Sequence, residues 1–203
     1  GSLDSVCAQN MQLIFRGEQL FSGSIAIVQP TQLESLYIQA DSTDLFCNGA
    51  LLQTLLEQLS VQSFSLPPII TQLGDVHYHG NIHGWLDSLS LKGAFNNSLG
   101  SIDVEGYIHS DTTFQNFYFS GNVHTQSFQL GRLLKQADLG SVTLDAQVNG
   151  LFEDGQFVEA TTTAKIQQFE YKNYSYQNIH IEADIAPQEI KGKLNIKDEN
   201  IQL

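Results

Sequence analysis

Eight times in this chain a glycine occupies the middle of an apolar-x-Gly-x-apolar run, a spacing that sets all three positions on one face of a β-strand. The runs centre on Gly23, Gly80, Gly84, Gly93, Gly106, Gly121, Gly150 and Gly192, half of the 16 glycines. Glycine inside a strand forfeits side-chain packing and costs conformational entropy. Its repeated placement on the apolar face therefore points either to sharp sheet curvature or to a surface that something approaches closely.

The text around these glycines alternates. Val142, Leu144, Ala146 and Val148 interleave with Thr143, Asp145 and Gln147, and the same period of two runs through Ile102 to Ile108, Ala160 to Ile166, Ile179 to Ile185 and Ile190 to Ile196. With Val76 to Ile82 and Phe117 to Val123, the pattern predicts ten to twelve strands of about eight residues. Strands with one polar face favour antiparallel meanders over a doubly covered parallel sheet. Turn signals fit that reading at Asn96-Asn97-Ser98-Leu99-Gly100, Glu153-Asp154-Gly155 and Ala186-Pro187-Gln188. The expected fold is mainly β: one elongated, curved antiparallel sheet, a trough or open barrel, forming a single domain over residues 1–203.

Two segments break the rhythm. Leu51, Leu52, Leu55, Leu56 and Leu59 repeat at helical spacing, which predicts an amphipathic helix over 50–59. Leu130 to Gln136 allows one or two helical turns. Either helix can cap one end of a curved sheet, and an amphipathic docking site for a partner is the alternative.

Composition excludes several functions. A formal charge of -13 with nine basic residues, none clustered among aromatics, repels phosphate and makes nucleic acid an unsuitable partner. No apolar run approaches the roughly 20 residues that span a bilayer, and the first residues lack the basic and apolar regions of a signal peptide. The Gly1-Ser2 opening and the unfinished pattern at Ile201-Gln202-Leu203 suggest a slice of a longer protein. Cys7 and Cys47 fit either one disulfide or two separate thiols.

Candidate chemistry is sparse. His77, His79 and His83 share the polar face of one strand, where His-x-His can bind zinc, yet His79 and His83 stand about 13 Å apart along an extended strand. Asp103 with Glu105, and Glu182 with Asp184, lie side by side on polar faces rather than across a pocket as paired acid and base catalysis requires. Phe114, Phe117, Tyr118 and Phe119, and Phe169, Tyr171, Tyr174 and Tyr176, suit a sugar platform or cross-strand aromatic packing. No nucleophile elbow, phosphate-binding loop or dinucleotide fingerprint occurs. The residues suggest neither an enzyme nor a cofactor.

Leu89-Ser90-Leu91-Lys92-Gly93, Phe119-Ser120-Gly121-Asn122-Val123, Phe128-Gln129-Leu130-Gly131-Arg132-Leu133-Leu134 and Leu139-Gly140 follow in an order that resembles the TamB family. Tyr174-Ser175-Tyr176-Gln177-Asn178-Ile179 and Ile190-Lys191-Gly192 also look like phrases of that family and the wider AsmA-like group, and the similarity covers most of residues 75–203. The resemblance implies a periplasmic segment of an inner-membrane-anchored envelope protein with a β-rich, apolar trough. It further implies phospholipid transport between inner and outer membranes, and, through an outer-membrane partner of the Omp85 class, outer-membrane biogenesis and protein secretion. The chain departs from the family pattern in lacking an N-terminal membrane helix and a recognisable partner-binding end.

Acyl chains need no specific polar ligands, so a groove for them leaves no catalytic signature. The expected lining is the apolar face carrying Gly80, Gly106, Gly121, Val142, Leu144, Val148, Ile181 and Gly192, with the glycines giving clearance to lipid tails. The rival readings are a structural or adhesive β module with a dry core, and a domain that binds partners by strand addition.

Overall fold

Alternation with short turns leads to a sheet in which every strand pairs with its neighbours in sequence. The computed structural model describes residues 4–15, 18–30, 35–47, 72–111, 115–153, 156–199 and 201. Eleven antiparallel strands form one sheet in simple chain order: β1 (Ser5–Phe15), β2 (Glu18–Val28), β3 (Tyr37–Cys47), β4 (Val76–Trp85), β5 (Ser88–Asn97), β6 (Gly100–Ser110), β7 (Phe117–Phe128), β8 (Leu139–Glu153), β9 (Gln156–Tyr171), β10 (Tyr174–Ala186) and β11 (Glu189–Ile196). β1 and β11 are the two borders, and the sheet does not close into a barrel. Among the described residues no helix is long and apolar enough to cross a membrane.

Residues directly opposite each other in an antiparallel pair share a face, so the register traces one surface across the sheet. Ile27 faces Ile38, which faces Gly84, and the line continues through Leu89, Ile108, Phe119 and Gly150 to Ala160, Ile185 and Ile190. This surface is apolar from β1 to β11. The other carries His79, Lys92, Glu105, Asn122, Gln147, Thr163 and Glu182.

β1 to β3 reach the same surface by a less regular route. The pairing slips between Ala8 and Met11 and between Ala40 and Thr43, with Asn10 at φ 52° and Ser42 at φ 48°. Each slip is a bulge that adds a residue to one strand and resets which side chains face the core. The Ser42 amide donates to the Asn81 side-chain oxygen at 2.9 Å. At a third slip, in β7, Ser127 (φ 51°) donates its amide to Thr143 Oγ1 at 3.0 Å.

The one helix among the described residues, α1 (Leu130–Leu134), closes one end of the apolar surface. Leu99, Phe128 and Val142 are buried there, with Leu130, Leu133 and Leu144 packed around them. Gly131 is buried against the Leu139 carbonyl, leaving no room for a side chain where the helix meets β8. Lys135, in the left-handed region at φ 55°, ends the helix, and the Gln136 amide caps it by donating to the Gly131 carbonyl at 2.9 Å. The segment 50–59, expected to be helical, lies outside the described residues.

The cysteines fall far apart. Cys7 faces Ala26, which faces Gln39, eight residues before Cys47 along β3. That separation is roughly 26 Å along the strand, against about 7 Å for the longest Cα spacing a disulfide tolerates. Cys7 is exposed and unbonded, so of the two arrangements the sequence allows, separate thiols are the one this register permits.

Candidate functional site

The apolar surface is sorted by size. Across its middle run two adjacent cross-strand rows. One passes through Gly80, Gly93, Val104, Val123, Ala146, Ala164 and Ile181; the other through Gly106, Gly121, Val148, Thr162, Ala183 and Gly192. Bulky side chains stand on either side. Toward the helix lies the core of Leu99, Phe128 and Val142. Toward the opposite strand ends Phe119, Phe152 and Phe157 pack with ring centroids 5.9 and 5.7 Å apart. Glycine, alanine, threonine and valine predominate in these rows between β6 and β10, and the second row continues into Leu91 and Ile82 on β5 and β4.

All eight positions expected to line a groove lie on this surface, but they do not play one part. Val142 is 4% exposed and belongs to the closed core under α1, with Leu144 against it. Gly192 is exposed on the border strand. Gly106, Gly121, Val148 and Ile181 occupy the middle rows. Gly80 is covered: a Cβ there would stand 2.6 Å from the Tyr78 hydroxyl oxygen, and one on Gly93 would stand 2.9 Å from the Tyr78 ring. Tyr78 lies across this glycine pair, buried, with its ring 4.8 Å from that of Phe95. Its hydroxyl donates to the Asn81 carbonyl at 2.8 Å, and burial pushes its ionisation above the ordinary tyrosine range. Aromatic side chains placed over glycines restore the contacts that the missing Cβ gives up. Phe119 does the same for Gly150.

Gly80 and Gly93 also face each other, a Cβ on Gly80 falling 2.6 Å from the Gly93 Cα, and Gly106 and Gly121 form a second such pair. They face each other across β6 and β7, and the three atoms nearest a Cβ on Gly121 are all backbone, the Gly106 Cα at 2.8 Å among them. Here the glycines bring two backbones together. A side chain at 121 therefore requires the strands to move, which makes this position unsuitable for simply filling the surface.

The histidines of β4 go to separate partners on β3: His77 packs on Phe46 at 4.9 Å, His79 Nδ1 meets Asp44 at 2.7 Å, and His83 Nε2 meets Asp41 at 2.7 Å. Among the described residues no three His, Cys, Asp or Glu side chains converge as metal ligands. A depression of about 810 Å³ on the polar face lies between His79, Lys92, Asp103, His124, Asp145 and Lys165. Two contacts cross it: Lys92 pairs with Glu105 at 3.0 Å, and His124 Nδ1 meets the Asp145 carboxyl at 2.7 Å. Hydrogen bonds from His124 and Gln167 hold the Asp145 carboxyl below the usual carboxylate range. Glu105, facing Lys92, lies beside Asp103 on β6, and both are exposed on one strand rather than set across a pocket.

The aromatic segments resolve into cross-strand and same-strand packing, as between Phe119 and Phe152 and between Tyr174 and Tyr176 at 4.6 Å. Phe114 lies outside the described residues. Of β1 to β3 the alternation marked only the run around Gly23, and none of their residues entered the expected lining, although Ile25, Ile38, Ala40 and Leu45 extend the surface; bulges interrupt their alternation. Fold and surface together define a class, the open antiparallel meander with one continuous apolar face. Comparison with protein-family models, with curated proteins and with solved structures finds no match to this chain.

Proposed function

We propose that this chain is a non-enzymatic lipid-handling segment whose apolar face holds phospholipid acyl chains. The observation that carries the reading is one continuous apolar face across eleven strands, with no second sheet over it among the described residues and with Gly106, Gly121, Ala146, Ala164 and Ala183 low along its middle. Ile108, Ile190 and Leu194 stand exposed on this face, and contiguous exposed apolar surface marks a site of interaction. An acyl chain laid on it gains about 0.8 kcal/mol for each CH₂ removed from water, without specific polar contacts. The resemblance to the TamB family extends the proposal to a periplasmic bridge between inner and outer membranes, serving outer-membrane biogenesis and protein secretion alongside an Omp85-class partner.

Native mass spectrometry of the purified protein, with extraction and identification of bound lipid, tests the reading. Co-purifying phospholipid is the expected result. Val148→Asp, which places a charge on the apolar face, abolishes it, while Asn149→Asp adds the same charge on the opposite face and leaves it. A protein that stays free of lipid after incubation with phospholipid vesicles, or one equally loaded in both variants, would overturn the proposal.

A further inference from the structure

β7 sorts its rings by face. Phe117 and Phe119 stand on the apolar surface, and Tyr118 between them stands on the other, 44% exposed. The register carries Tyr118 into a row across the polar face: it lies opposite His109 of β6, which lies opposite Ser88 of β5, and the row continues through Trp85 of β4 to Tyr37 of β3. Tyr107, two residues before His109 on β6, stands beside the row on the same face. Trp85 and Tyr107 are 52% and 41% exposed. β3 to β7 are each paired on both sides, so the row lies inside the sheet. Every ring in it is Trp, Tyr or His, types that set a polar atom beside an apolar ring face.

The rings are held by their neighbours. Trp85 meets Tyr37 edge to face with centroids 5.0 Å apart, and Tyr107 lies parallel to His109 within 7° at 6.3 Å. Ser88 Oγ and the Tyr107 hydroxyl share a hydrogen bond at 2.7 Å. Rings fixed in this way give up little freedom when a ligand stacks on them.

Shape and charge select the ligand. From β3 to β7 the row crosses four strand spacings, roughly 19 Å. A small cation is held by rings that surround a point, whereas these are drawn out in a line, which suits a ligand that repeats. Single-stranded nucleic acid also repeats, but its stacking platforms need a basic groove beside them. No lysine or arginine occurs in residues 36–44, 84–91, 107–121 or 149–159, the segments around the row, while Asp87, Glu153 and Glu159 do. The same carboxylates repel anionic lipid headgroups. An uncharged sugar chain meets both conditions: each pyranose offers a face of CH groups to a ring, and its hydroxyls donate to carboxylates at the margin.

We propose that Tyr37, Trp85, His109 and Tyr118, with Tyr107 beside them, bind an uncharged oligosaccharide by stacking against its pyranose rings. Lipid on the apolar face neither requires nor prevents this contact, because the sheet lies between the two sites.

The test titrates the full chain with cellohexaose, maltohexaose and N-acetylated chitohexaose, read by calorimetry and by the emission of Trp85, the only tryptophan in the chain. Binding of at least one of them, with a shift in Trp85 emission and no weakening as salt is raised, is the expected result. Trp85→Ala, Tyr107→Ala and Tyr118→Ala should each weaken it about twofold to tenfold. Thr163→Ala, on the same face but outside the row, leaves it unchanged, and circular dichroism of each variant checks that the sheet is intact. No heat and no emission change with any of the three sugars at about 10 mM, beyond a millimolar Kd, would overturn the proposal. So would binding that persists undiminished when Tyr107 and Tyr118 are both replaced by Ala. Sugars without effect, with phosphatidylcholine vesicles shifting Trp85 emission instead, would also overturn it and make the row a membrane-interface belt.

Discussion

Gly121 of β7 stands directly opposite Gly106 of β6, and a methyl group at 121 would come within 2.8 Å of the Gly106 Cα, whereas one at 106 would stand 3.5 Å from the Gly121 Cα. The pair is unequal. Gly121→Ala forces the strands apart and is expected to cost about 1–3 kcal/mol, the range for overpacking a tight site, with Gly106→Ala costing less. Urea unfolding of the two variants measures the difference; equal midpoints would show that the strands yield without strain.

Tyr78 covers Gly80 and Gly93 with its ring and ties its hydroxyl to the Asn81 carbonyl. The two parts separate by mutation. Tyr78→Phe is expected to lose about 0.5–1.5 kcal/mol, the net worth of one hydrogen bond. Tyr78→Ala leaves the glycine pair bare and is expected to lose about 3–5 kcal/mol, as for other large aromatic truncations. Thermal or urea unfolding reads both, and similar losses would mean the ring contributes little.

Glu170 accepts the Ser141 amide at 2.9 Å, and that bond, with the Ser141 side chain adding to it, holds the carboxyl below the usual glutamate range. A carboxyl lowered in the folded protein contributes stability at pH values above its unfolded pKa of about 4.3, and the contribution is lost as pH falls through the folded value. Glu170→Gln should therefore flatten the acid limb of a stability-against-pH curve while changing its shape little above pH 6. Parallel acid limbs in the two proteins would show that Glu170 is not a source of the slope.

Cys7 is exposed and lies far along the sheet from Cys47. Native protein purified without reductant is expected to show no mass change on reduction and to accept a maleimide at Cys7 without denaturant. A gain of two mass units on reduction would contradict the register of β1 to β3.

The fold was readable where alternation is unbroken. β4 to β11 keep a period of two over most of their length, so the one-faced apolar sheet, its antiparallel pairing and the short helix after Phe128 all follow from local pattern. β1 and β3 obey the same physics, but at Asn10 and Ser42 a bulge inserts one residue, and what reads as a lost pattern is a pattern shifted by one. The roles of the glycines were not readable at all. Gly80 and Gly121 sit in the same kind of sequence phrase and both press against a glycine backbone of the next strand, yet Gly80 alone of the two has an aromatic side chain, the tyrosine two residues away, among its nearest atoms. Which applies depends on register, and register belongs to pairs of strands.

Each strand of this sheet pairs only with the strands before and after it in the chain. Within β4 to β11 no hairpin therefore waits for a distant partner, and sheet growth there can proceed stepwise, every new strand adding to a template that is already in place. Most all-β folds are slow because long loops must close before any reward arrives. Here the entropic toll of closure is divided among short turns, an order of assembly suited to a polypeptide that emerges from one end first.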